Sequence, residues 1–153
     1  MKLFVDTHIF VDYFLDRSDN IRPLGEFAFQ LVRRTISCEF YMLVSDGAIK
    51  ELKNVLNKKE DELIEIVFKE LISAGKVQFI EASEHQISEA RLLAEKRQIP
   101  RTDALFAILA RDNAAILVSR DKHHQEMEDI VEALKPEELL SKAFRTAHSK
   151  RFL

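Results

Sequence analysis

Short apolar runs alternate along this chain with longer stretches of helical periodicity. Residues 2–5 form a brief, largely apolar run that ends at Asp6 and reads as a buried strand. Residues 8–15 look like a first helical stretch, and Leu24, Phe27, Ala28, Leu31 and Val32 then fall on one helical face. A second strand is expected over residues 40–44, the run Phe-Tyr-Met-Leu-Val. Ser45 and Asp46 offer capping oxygens for a helix that runs through Leu56. Leu63, Ile64, Val67, Phe68 and Leu71 stripe another helix that stops near Gly75, and residues 77–80 read as a third strand. Ile87, Ala90, Leu93 and Ala94 mark a helix closed by Pro100. Thr102 or Asp103 opens the next one, almost wholly apolar from Ala104 to Ala110. Residues 115–118 read as a buried strand and 130–134 as a last one, with Pro136 at a helix start that proline tolerates.

Strands that alternate with helices in this way predict an α/β protein: a central, mainly parallel sheet of four or five strands covered by helices on both faces. In such sheets binding sites form beyond the carboxyl ends of the strands. Asp6 and Asp121 each follow a predicted strand, so both are expected there.

Composition narrows the picture. The 153 residues suit one domain, and with only three glycines and three prolines no flexible linker divides them. Residues 138–153 read as a peripheral helix and basic tail; Lys142, Arg145, Lys150 and Arg151 lie there without an acidic residue after Leu139. One cysteine, Cys38, rules out an internal disulfide framework and a cysteine-rich metal site, which fits a reducing cytoplasm. No uncharged apolar run approaches the roughly 18 residues that span a bilayer, so no membrane association is expected. The net charge of −3 differs from the basic balance of a protein that holds nucleic acid by overall phosphate neutralisation. A nucleic-acid substrate would have to be held by local basic residues or bound cations.

Four segments carry the candidate chemistry: Phe4-Val5-Asp6-Thr7, Ile49-Lys50-Glu51-Leu52, Arg101-Thr102-Asp103-Ala104-Leu105 and Val118-Ser119-Arg120-Asp121. Each sets a carboxylate at or near the end of an element beside apolar residues. Taken singly, Asp6 reads equally as a helix cap, Asp103 as a first-turn anion, Glu51 as a solvated helix residue and Asp121 as a turn residue. Taken as an ordered set, they offer the hard oxygen ligands that Mg²⁺ and Mn²⁺ prefer.

In this order and context the four segments resemble the PIN-domain family, which includes VapC-type toxin ribonucleases; the resemblance runs from Leu3 to about Leu134. It implies a three-layer α/β/α sandwich and a metal-dependent endoribonuclease. Asp6, Glu51, Asp103 and Asp121 would hold one or two Mg²⁺ or Mn²⁺ ions, with Thr7 and Ser119 orienting ligands or waters. Cleavage would leave a 5′-phosphate and a 3′-hydroxyl. The resemblance also brings RNA as substrate, an antitoxin protein as partner and a homodimer as an assembly the fold often adopts. A catalytically silent module that binds RNA or protein is the alternative, and such modules often lack some of the four carboxylates. His8 departs from the Asn or Ser common at its position, and beside Asp6 it is expected to touch the site.

Other residues have plainer readings. Arg101, Arg120 and Lys122 flank the candidate ligands and either contact RNA phosphates or balance the negative charge. Asp12 and Asp16 read as a solvated helix face, Asp46 as a cap beside Gly47, and the pair His123-His124 as a surface or loop pair. A phosphatase that uses Asp6 as nucleophile is disfavoured, because His8 stands where that chemistry wants a second aspartate. G-x-x-x-x-G-K-[ST], G-x-G-x-x-G and G-x-S-x-G are all absent.

Overall fold

The computed structural model describes residues 1–15, 23–37 and 39–142. Its elements run β1 (Lys2–Val5), α1 (Thr7–Leu15), α2 (Leu24–Ile36), β2 (Tyr41–Ser45), α3 (Asp46–Leu56), α4 (Glu60–Leu63), a π-helical turn (Ile64–Phe68), α5 (Lys69–Ser73), β3 (Val77–Ile80), α6 (Glu84–Arg97), α7 (Arg101–Asp112), β4 (Ile116–Val118), α8 (Lys122–Gln125), β5 (Ala133–Leu134) and α9 (136–142). The five strands form one sheet in the order β3-β2-β1-β4-β5, and every neighbouring pair is parallel.

Strand residues alternate between two cores, as the period of two demands. Leu3, Val5, Met42, Val44 and Val118 face a core built with Ile9, Phe10, Leu31, Leu52, Phe68 and Leu71, from α1, α2, α3, the π-helical turn and α5. Phe4, Leu43 and Leu117 face the other core, with Ala90, Ala94, Phe106 and Ile108 from α6 and α7. Both faces being covered, these strands read as continuous apolar runs. The result is the α/β/α sandwich expected from the sequence.

Helix starts follow local chemistry. The Ser45 hydroxyl accepts from the Gly47 amide at the head of α3, and Ser83 and Gln86 form a reciprocal capping box at α6. The expected single helix over residues 63–71 is instead α4, a π-helical turn and α5; the apolar stripe suits either winding, so the pattern could not distinguish them. The last strand is confined to two residues. The side chains of Leu63 and Val67, Asp16, Cys38 and the basic tail beyond residue 142 lie outside the described part of the chain.

The connectivity positions the site. The chain moves from β1 outward through β2 to β3, then returns to place β4 on the opposite side of β1. The strand order therefore reverses between β1 and β4, and a crevice opens beyond their carboxyl ends.

Candidate active site

Asp6 follows β1 directly, and its amide donates to the Val118 carbonyl at 3.0 Å, so the two strand ends stay in register up to the site. The residue is buried, 4% exposed. One oxygen accepts from the Ser119 hydroxyl at 2.7 Å and the other from the His8 amide at 3.2 Å, with the His8 ring at 3.4 Å. Burial pushes the Asp6 carboxyl up, but the hydrogen bonds from His8 and Ser119 and the His8 charge outweigh it and hold it below the usual range. His8 is raised to about 9, first by its hydrogen bond to Asp6, against burial, and then by the charges of Asp6, Glu51 and Asp12.

Ser119 links two of the expected ligands. While donating to Asp6, it accepts from the Asp121 amide at 3.0 Å. Asp121 in turn caps α8 by accepting from the His123 amide at 2.9 Å. Asp103, in the first turn of α7, completes the group: ligand atoms of Asp103, Asp121 and His123 all lie within 4.8 Å of one another. Burial raises the Asp103 carboxyl. His124 opposes the shift, while Asp121 and Asp6 add to it, so like charges are crowded here.

Glu51 sits half-buried in the second turn of α3, outside the Asp103–Asp121–His123 group, and its charge contributes to raising His8. Thr7 is buried at the head of α1, and its hydroxyl oxygen has no hydrogen-bond partner. Arg101 and Lys122 are exposed at the first positions of α7 and α8. A cleft of about 290 Å³ opens among Asp6, His8, Asp12, Leu24, Arg120 and Asp121.

Two sequence readings need correction. Asp12 is no solvated helix residue: it is 4% exposed and accepts from Arg120 Nε at 3.1 Å. Arg120 also donates to both Glu137 oxygens, at 2.9 and 2.8 Å, so it balances buried negative charge while its side chain lines the cleft. Nor is His123-His124 a surface pair. His124 is 1% exposed with Nε2 3.9 Å from Asp103 Oδ1, and His123 joins the Asp103–Asp121 group. The capping turn at Asp121 was the available signal, because it folds the next residues back towards the carboxylate.

The donor set suits a divalent cation. Among the described residues, the buried side-chain polar atoms without a hydrogen-bond partner are Thr7 Oγ1, Asp103 Oδ2, Arg120 Nη2, His123 Nδ1 and both His124 ring nitrogens. All lie on residues in or flanking this site, and buried polar groups ordinarily find partners. Crowded carboxylates with unpaired oxygens attract cations.

Comparison with known proteins decides the family. The model of the PIN domain matches residues 3–130. This chain belongs to the PIN-domain family. Solved structures agree on the PIN fold. VapBC2 from Rickettsia felis, bound to a DNA fragment from its promoter, is 19% identical with a TM-score of 0.57, covering 88% of this chain and 98% of that one. A toxin–antitoxin complex from Klebsiella pneumoniae is 16% identical with a TM-score of 0.59, covering 89% and 98%. PAE2754 from Pyrobaculum aerophilum is 18% identical with a TM-score of 0.58, covering 95% and 96%. No curated protein matches. Among the described residues no helix is long and apolar enough to cross a membrane.

Proposed function

We propose that this PIN-domain chain is a divalent-metal-dependent endoribonuclease that acts as the toxin of a toxin–antitoxin pair. The observation that carries the reading is the convergence of Asp6, Asp103 and Asp121 beyond the carboxyl ends of β1 and β4, where the strand order reverses. Asp6, Glu51, Asp103 and Asp121 would hold Mg²⁺ or Mn²⁺. Bound there, the ion supplies an activated water and charge stabilisation for phosphodiester hydrolysis.

The chain's own residues do the positioning. Ser119 fixes the spacing of Asp6 and Asp121 by donating to one and accepting from the other. Thr7 and His8 flank Asp6, and the His8 imidazolium offsets part of the negative charge at the cleft mouth. Arg101 and Lys122 stand exposed beside the ligands and would contact RNA phosphates, local cations that an acidic protein needs to hold a polyanion. An antitoxin is the partner this reading supplies. The similar Klebsiella pneumoniae structure is a toxin–antitoxin complex, and an antitoxin segment would cover the acidic cleft. Retention of all four carboxylates favours the nuclease over a silent binding module.

The test is a panel of labelled single-stranded and structured RNAs and matched DNAs, incubated with EDTA, Mg²⁺ or Mn²⁺. Metal-dependent cuts in RNA with 5′-phosphate and 3′-hydroxyl ends are expected, absent from Asp103→Asn. Cutting that persists in EDTA, or equally in Asp103→Asn, would refute the assignment.

A further inference from the structure

His123 is held against the acidic group by local structure. Its amide donates to Asp121 Oδ1 at 2.9 Å, so the capping turn of α8 sets residue 123 beside that carboxylate. One of its ring nitrogens lies within 4.8 Å of ligand oxygens of both Asp103 and Asp121. Nδ1 of the ring is buried without a hydrogen bond; Glu126 Oε2 stands 3.9 Å away, beyond bonding reach.

His124 supplies an independent observation. It is 1% exposed, neither ring nitrogen has a partner, and Nε2 faces Asp103 Oδ1 at 3.9 Å while Asp103 Oδ2 is also unpaired. An imidazole buried in this way costs free energy unless it serves the group it faces. Behind Asp103, it is placed to orient that carboxylate, as residues behind metal ligands commonly do.

We propose that a ring nitrogen of His123 is a third ligand beside Asp103 and Asp121, making a mixed oxygen–nitrogen site that selects Mn²⁺ or Co²⁺ over Mg²⁺. The proposal rests on the metal-dependent reading above and specifies its ion. Mg²⁺ takes oxygen ligands and keeps much of its water, whereas imidazole suits the transition metals. The carboxylates alone would bind Mg²⁺ and Mn²⁺ on similar terms; the imidazole breaks that parity. His124 is a positioning residue in this scheme and not a ligand.

The experiment uses the full chain stripped of metal, titrated calorimetrically with Mn²⁺ and with Mg²⁺, and pulsed electron paramagnetic resonance of the Mn²⁺-loaded protein. Wild type, His123→Gln, His124→Gln and Asp103→Asn are compared after circular dichroism confirms folding. Wild type is expected to show ¹⁴N coupling to bound Mn²⁺, kept in His124→Gln and lost in His123→Gln. Mn²⁺ affinity should fall at least about tenfold in His123→Gln, the scale on which even supporting residues act, with Mg²⁺ affinity nearly unchanged. Asp103-dependent Mn²⁺ binding without ¹⁴N coupling, or coupling that survives in His123→Gln, would overturn this proposal alone. Failure of the wild type to bind Mn²⁺ through Asp103 would overturn the metal-dependent function and this proposal together.

Discussion

Asp103 carries opposing forces at a single residue. At the head of α7 the helix dipole favours its charge, while burial and the neighbouring Asp121 and Asp6 carboxylates disfavour it, and its carboxyl is raised on balance. A raised acid gives up stability when it ionises at neutral pH. Asp103→Asn should therefore melt at or above the wild-type temperature in EDTA while losing the stabilisation that Mn²⁺ gives the wild type; a lower melting temperature in EDTA would contradict this balance. Asp12 poses the opposite case. Removing it by Asp12→Ala leaves the partly buried Arg120 paired with Glu137. Losing one member of a fully buried pair costs about 3–5 kcal/mol, and because Glu137 stays, a loss of about 2 kcal/mol in denaturant titration is expected. An unchanged midpoint would show that the pair contributes nothing. Asp12 was misread from sequence for a plain reason: Arg120 lies 108 positions away, and no local pattern announces such a partner. Asp6 and Asp121 were legible because each sits where an apolar strand gives way to a helix cap, and Asp103 because it stands in the first turn of an apolar helix.

At the scale of elements, α6 and α7 are fastened by charge as well as by their apolar faces. Arg111 donates to both oxygens of Glu89 at 2.6 and 2.9 Å, and Gln86 donates to Asp112 at 2.8 Å. The hydrogen bond from Arg111 lowers the Glu89 carboxyl. Burial works against the lowering of Asp112, but hydrogen bonds from Gln86 and Arg111 prevail. Groups lowered in this way stabilise the fold above their unfolded pKa, and that contribution is lost as pH falls through the folded value. Arg111→Met should thus melt below wild type at pH 7, with the gap closing below about pH 4; the effect is modest, since exposed pairs contribute little. A pH-independent gap would assign the loss to packing. The turn from α7 into β4 offers a second test. Ala114 holds φ at 52°, a left-handed position that glycine takes more easily, and the Ala115 amide closes the turn on the Ala110 carbonyl at 2.9 Å. Relief of the strain outweighs the added freedom of the unfolded chain, so Ala114→Gly should gain roughly 0.5–1 kcal/mol in denaturant titration. A loss would show that the turn is not strained. Most elements were readable from periodicity and caps. The π-helical turn and the shortness of β5 were not, because winding and edge pairing leave no trace in an apolar stripe.

For the molecule as a whole, strand order makes the site. The four candidate carboxylates are scattered along the chain, yet Asp6 and Asp121 follow adjacent parallel strands, Asp103 heads the helix that feeds β4, and Glu51 lies on the helix after β2. The alternation of strands and helices predicted a parallel sheet, and the order β3-β2-β1-β4-β5 turns that sheet into a crevice with acidic walls. The direct measurement is the anomalous scattering of manganese in crystals of the wild-type protein grown or soaked with Mn²⁺. A peak among Asp6, Asp103 and Asp121, absent from Asp103→Asn crystals, is the predicted result. A map in which Mn²⁺ binds elsewhere and leaves these carboxylates bare would contradict the account.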